Sequence, residues 1–199
     1  WQFMDRFYES DRRWTGERDD CSCPDLFQLE DRWMLLHFCH QQPSGSRYYL
    51  GSYQDQRYSP EAFGLINWPG GNIHAPRTML DEQGRRILFA NLNEGRPMNV
   101  CQESGWYGVM SLPVVISLAP GGTAIRYEPA PELQALRQDL QQRRAIDIEA
   151  DSEVPLTEVR GDCLELELGL EGRGATEFGV KVRCAPDGSE ETIVSVTSE

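Results

Sequence analysis

No stretch of this 199-residue chain approaches the roughly 18 consecutive apolar residues that a membrane helix needs, so no transmembrane segment is expected. Positive charge is also scarce. Against 32 acidic residues stand only 19 Lys and Arg, for a formal net charge of -13. Nucleic-acid surfaces are dominated by Lys and Arg, so this balance argues against a phosphate-binding face, and a neutral ligand such as a sugar fits better. The six cysteines (Cys21, Cys23, Cys39, Cys101, Cys163, Cys184) form no CxxC pair, and His37, His40 and His74 lack the matching spacing of a zinc site. No metal and no cofactor are therefore expected. Cys39, Cys163 and Cys184 lie in apolar strand patterns, where a thiol behaves as a small hydrophobe, and unpaired thiols favour the cytoplasm over secretion. The chain opens at Trp1 without Met or signal peptide, within an aromatic-rich pattern, which points to a truncated N-terminus, with a mature one as the other reading.

What the chain does have is a run around which the rest is ordered: Cys21-Ser22-Cys23-Pro24-Asp25-Leu26-Phe27, approached by Glu17, Asp19 and Asp20. The proline stands where a ladder donor is not needed, so the chain enters a strand from a fixed turn. Short strands follow at 26–30, 33–40 and 47–53, with a hairpin at Pro43-Ser44-Gly45-Ser46 and a turn and edge signal in 54–63. That is the size of one propeller blade. The pattern recurs with strands at 74–80, 85–92, 106–112, 114–118 and 124–127, interrupted by a polar loop over 94–105. Glu132–Arg143 then places Leu133, Leu136 and Leu140 at helical spacing, which predicts a short linker helix. Beyond it, strands are expected at 147–150, 163–170 (a period-two CLELELGL), 178–183 and 192–196, as in part of an antiparallel sandwich. The reading is all-β: a partial propeller over 1–128, a linker helix over 129–144 and a partial β-sandwich over 145–199.

An ordered series of motifs resembles one known family. The pieces are Cys23-Pro24-Asp25-Leu26-Phe27, Tyr49-Leu50-Gly51-Ser52-Tyr53, Ala75-Pro76-Arg77-Thr78 and the run from Asp81 to Phe89. Gly105 to Pro113, Pro131-Glu132-Leu133 with Leu136-Arg137, and Phe178 to Arg183 complete it. Together they resemble the central and C-terminal part of glycoside hydrolase family 32, the invertases, inulinases and related β-fructofuranosidases, over roughly residues 20 to 196. The resemblance implies a five-bladed β-propeller with an appended sandwich, and a retaining hydrolysis of sucrose or fructan oligosaccharides. In that mechanism one carboxylate attacks the anomeric carbon and a second, protonated one serves the leaving oxygen, the two lying about 5 Å apart.

The same resemblance exposes departures. The family's nucleophile motif (WMNDPNG-type) and its RDP motif do not occur among these residues. Its acid/base Glu immediately precedes Cys-Pro-Asp, and here that position is Ser22, whose hydroxyl cannot serve as a carboxylic acid of raised pKa does. Asp20 and Asp19 are the nearest replacement acids, or else a solvated acidic turn. Asp25 matches the family and is expected to orient the loop, with a catalytic role as the other reading. Asn91 stands where the family often has a sugar-lining tryptophan, Val114 where a basic residue is usual, and His74 where an aromatic is usual. Trp68 is read either as a sugar platform or as core, and His74 either as a substrate contact or as a structural histidine. Three functions compete: part of a fructoside-cleaving enzyme, a catalytically degenerate carbohydrate-binding module, and an interaction propeller unrelated to sugars. Open strand edges predict self-association.

Overall fold

The computed structural model describes residues 2–17, 19–41, 44–67 and 73–198. The chain divides into two compact units, Trp1–Leu133 and Gln134–Glu199.

In the first unit, strands β1 (Ser22–Leu29), β2 (Arg32–Cys39), β3 (Gly45–Gln54) and β4 (Arg57–Leu65) form a four-stranded antiparallel meander in chain order. β5 (Ile73–Leu80) and β6 (Arg86–Leu92) begin a second sheet. β7 (Val109–Met110) pairs with β6, as does β8 (Val114–Leu118), and β9 (Ile125–Pro129) closes the order β5-β6-β8-β9. Alternation decides what each face buries. Phe27, Leu29, Met34, Leu36, Tyr48 and Leu50 of the first sheet meet Leu88, Ile116 and Ile125 of the second in one core. Each fully buried leucine of that kind contributes roughly 1.5–3 kcal/mol. The opposite face of the first sheet carries Leu35, Tyr49 and Tyr58, covered by Tyr8, Trp14 and Phe63. Residues 2–17 form no helix or strand but lie on this face, with the Tyr58 backbone N–H donating to the Phe7 carbonyl at 2.9 Å.

The polar loop expected over 94–105 contains a short helix, α1 (Met98–Ser104), ended by Gly105 in the left-handed region at φ 75°. Its seven residues bury only Cys101 and so carry no apolar periodicity to read. The strand expected over 106–112 shrinks to β7. The linker helix expected over 132–143 is a 3-10 turn over Pro131–Leu136. Leu133 is half-buried but Leu136 and Leu140 are 71% and 90% exposed, so among the described residues the later part of the stripe lacks the packing that would have held a longer helix.

The second unit holds one antiparallel hairpin, β10 (Glu177–Val182) with β11 (Thr192–Thr197), paired in register from Glu177↔Thr197 to Val182↔Thr192. The strands expected over 147–150 and 163–170 are irregular. The leucines of CLELELGL (Leu164, Leu166, Leu168, Leu170) are about half exposed, and a period-two pattern makes a strand only when a neighbouring strand accepts its ladder.

Candidate active site

Both sheets start with the same irregularity. β1 shifts register between Ser22 and Asp25, and β5 shifts between His74 and Arg77. In each case a non-glycine residue with positive φ precedes a proline: Cys23 at 51° before Pro24, and Ala75 at 47° before Pro76. Proline suits a bulge because it has no ladder donor to lose, and bulges re-aim the side chains beside them. The residues just before the two bulges, Ser22 and His74, therefore occupy equivalent places in successive sheets. The bulges are braced to each other. Arg77 Nη1 donates to the Pro24 carbonyl at 2.5 Å, and Asp25 Oδ2 accepts from the Thr78 backbone N–H at 2.9 Å and from its hydroxyl at 2.8 Å. Both oxygen contacts of Asp25 go into the neighbouring strand, which makes it a brace between the sheets.

Ser22 is half-buried and donates its hydroxyl to Asp20 Oδ2 in a very short hydrogen bond. His40, just past the end of β2, donates its backbone N–H to Asp20 Oδ1 at 2.8 Å, and its Nδ1 lies 2.8 Å from Asp20 Oδ2 and 3.3 Å from Ser22 Oγ. The Ser22 hydroxyl, then the His40 ring and backbone donors, hold the Asp20 carboxyl well below the usual carboxylate range. As a proton donor near neutral pH, Asp20 is therefore poorly suited. In this arrangement its carboxylate faces the Ser22 hydroxyl and the His40 imidazole. His40 was passed over by motif reasoning, and its signal is positional, since the ladder that pairs Ser22 with Phe38 carries the residue past β2 to Asp20, two positions before β1.

From His40 the line continues through Phe38, whose ring is 4.9 Å from His40 and 4.2 Å from His74, and the two imidazoles are 5.9 Å apart. Asn91 is the β6 ladder partner of His74 and is exposed. Asp20, Ser22, His40, His74 and Asn91 thus line the same end of the two sheets. Asp25 stands beyond the bulge, outside that line. Trp68 lies outside the described residues.

The solvated acidic turn is not what Asp19 and Asp20 form. Asp19 Oδ2 pairs with Arg47 Nη1 at 2.5 Å, their side chains 10% and 4% exposed, and Cys39 Sγ donates to Asp19 Oδ1 at 2.8 Å. Beside them His37 is buried and stacks on Tyr49 at 5.3 Å, and burial lowers its pKa and keeps the ring neutral. Sequence reasoning also missed Glu94, whose side chain is 7% exposed. Arg96 binds it through Nε at 2.9 Å and Nη2 at 2.6 Å, Gly108 N–H donates to it at 3.2 Å, and the Arg96 guanidinium covers the Trp106 ring at 3.7 Å. This clamp fixes the loop that follows Asn91. The Glu-Gly-Arg spacing was its one legible signal. Among the described residues no group of three or more His, Cys, Asp and Glu is arranged to hold a metal.

Comparison with known proteins follows the same segments. The family described as "Glycosyl hydrolases family 32 N-terminal domain" matches residues 1–129. A sucrose-6-phosphate hydrolase of Bacillus subtilis is 31% identical over 133 residues, covering 59% of this chain and 27% of the relative. A sucrose-6-phosphate hydrolase of Vibrio alginolyticus is 31% identical over 163 residues, covering 73% and 33%. The chain thus spans about a quarter to a third of the length of these curated relatives. Among solved structures, a fructan 1-exohydrolase of Cichorium intybus superposes with a TM-score of 0.53 at 20% identity, covering 60% of this chain and 26% of that one. A Bombyx mori β-fructofuranosidase does so at 0.50 and 23%, covering 60% and 27%. At these identities the likeness concerns fold: mostly strands, of the β-propeller kind.

Proposed function

The chain belongs to glycosyl hydrolase family 32, and from that premise we propose that it is part of a retaining β-fructosidase acting on sucrose or fructans. On this reading it is the central and C-terminal portion of such an enzyme. The two sheets are later blades of a five-bladed propeller within residues 1–128, residues 129–144 connect, and residues 145–199 belong to a β-sandwich. The observation that carries the proposal is the line of polar side chains at the bulged ends of β1 and β5. Ionised Asp20 holds the Ser22 hydroxyl and the His40 imidazole in place, and His74 and Asn91 extend the line across the second sheet. Fixed donors and acceptors beside aromatic rings are what a sugar's hydroxyls and C–H faces require. Within this arrangement Asp20 and Ser22 orient substrate, Asp25 sets the spacing of the two strands, and Trp68 is a candidate platform. The site lies in a free-thiol chain, which favours the cytoplasm. Among the described residues no helix is long and apolar enough to cross a membrane.

The second reading, a carbohydrate-binding module without catalysis, draws support from one feature: the acid/base position is Ser22 and its nearest carboxylate is held ionised. Fructose release from sucrose and inulin by the full-length protein separates the two. For an enzyme, Asp20→Asn should lower kcat/KM by about tenfold, since charge-assisted hydrogen bonds are worth roughly 1.5–3 kcal/mol and Asp20 is partly exposed. Undiminished activity in Asp20→Asn removes Asp20 from the site. Binding of inulin without any fructose release by the full-length protein favours the module. Among the described residues the outer edge of β9 has no ladder partner and that of β4 meets only the Phe7 carbonyl, so these edges are expected to drive self-association, and a monodisperse monomer in size-exclusion chromatography would contradict this.

A further inference from the structure

Cys21 stands between two cross-strand contacts. On one side Ser22 pairs with Phe38, and on the other Asp20 takes the backbone N–H of His40. Continuing the ladder back from Ser22↔Phe38 therefore sets Cys21 opposite Cys39. Residues opposite each other in an antiparallel pair have Cα atoms about 4.5–5.5 Å apart, inside the roughly 4.4–6.8 Å that a disulfide spans. Alternation along β2 turns Cys39 to the side of Leu35 and His37, away from Phe38, and the same alternation turns Cys21 to that side, away from Ser22. Both sulfurs are thiols here, Cys21 in an exposed residue and Cys39 in a buried one.

We propose that Cys21 and Cys39 are a redox-modifiable dithiol that hydrogen peroxide closes into an intrachain disulfide beside the Asp20–Ser22–His40 cluster. Peroxide transfers an oxygen to the Cys21 sulfur, giving a sulfenic acid and one water. The Cys39 sulfur then attacks that sulfur, the S–O bond breaks as the S–S bond forms, and the hydroxyl leaves with the Cys39 proton as a second water. The two thiols are oxidised by two electrons and the peroxide is reduced by two. Closure removes the S–H that Cys39 donates to Asp19 and ties the segment bearing Asp20 and Ser22 to the end of β2. A dithiol reductant reverses it.

The reaction is slow at neutral pH. Although the residue as a whole is exposed, desolvation of its sulfur, then the charges of Asp20 and of Cys39, pushes the Cys21 thiol up to about 11, and the thiolate is the reacting form. This inference does not depend on the glycosidase reading.

The test uses the purified 199-residue chain, treated with hydrogen peroxide, alkylated, digested without reduction and mapped by mass spectrometry. The expected product is a linked pair of peptides, residues 19–32 with residues 33–47, two hydrogens lighter than the reduced pair and lost on adding dithiothreitol. Because the first peptide holds two cysteines, two variants assign the link: it must vanish in Cys21→Ser and persist in Cys23→Ser. Its formation rate should rise about tenfold per pH unit below the Cys21 pKa. A link that survives Cys21→Ser, a Cys21–Cys23 link, or peroxide consumption that ends in Cys21 sulfinic acid without any link would each overturn the proposal.

Discussion

Removing the Asp19 carboxylate should cost this fold more than any surface charge. Asp19→Ala leaves the Arg47 guanidinium, whose side chain is 4% exposed, without the oxygen it meets at 2.5 Å, and it strips Cys39 Sγ of its acceptor. Breaking a buried ion pair from one side costs roughly 3–5 kcal/mol, because the surviving charge stays desolvated. That is a large part of the roughly 5–15 kcal/mol that holds a domain together. At about 2–4 °C per kcal/mol for a chain of this size, the thermal midpoint should fall by roughly 6–20 °C. Urea titration followed by tryptophan fluorescence reads the relevant unit, since all five tryptophans precede residue 134. A second arm separates desolvation from geometry. Asp19→Leu combined with Arg47→Met removes both charges and should recover most of the loss, because apolar replacement of a whole buried pair is often neutral or better. The cost should also vary little between low and high salt, as buried pairs are weakly screened. If Asp19→Ala costs less than about 1 kcal/mol, the pair behaves as an exposed one and the reasoning fails. It fails equally if the double replacement is as damaging as the single one.

Three further outcomes are expected. Gly51→Ala would put a Cβ 2.1 Å from the Ser59 carbonyl oxygen and 2.9 Å from Pro60 Cα; both are backbone atoms at the β3–β4 register shift, so a loss of about 2–3 kcal/mol or failure to fold is expected in the same urea assay. Gly84→Ala has nothing within 4 Å and should cost only its left-handed φ of +78°, about 1–2 kcal/mol; equal losses at the two sites would contradict the steric account. Glu94, held below its ordinary value of 4.5 first by the Arg96 side chain, lends stability that is fully present above that value and lost as pH falls through the lowered folded value. Thermal midpoints of the native chain and Glu94→Gln should therefore converge on acidification from pH 6 towards pH 2, and a gap that stays constant would show that the carboxylate charge is not the cause.

The hairpin rhythm of the first two sheets was readable because turn residues and alternation agree there. Gly45, the Asp81–Gly84 turn and the Gly121-Gly122 pair all mark chain reversals that the sheets use. The second unit read as stranded and is mostly not. CLELELGL carries the right period, but a period states which side chains share a face and not whether a partner strand exists. At the site, the Ser22 position was legible through the Cys-Pro-Asp that follows it. The roles of Asp19 and Asp20 were not. Adjacent and chemically identical in sequence, they point to opposite faces of one strand start, so Asp19 goes into a buried pair with Arg47, and Asp20 goes to the exposed end with His40. Only the register of β1 against β2, displaced by the bulge, decides which is which.

The braces between the two bulges also bear on how this unit assembles. Each meander closes on neighbouring strands, and such local contacts form early and cheaply in chain entropy. The Asp25–Thr78 and Arg77–Pro24 bonds join residues 53 apart in sequence, and they require both irregular strand starts to be in place. They are therefore expected to form late, when the two sheets dock. Late contacts govern how fast a protein comes apart more than how fast it forms. The paired X-Pro bulges thus act as a latch on the lifetime of the docked state: loosening Asp25 should quicken unfolding and leave the refolding rate nearly untouched.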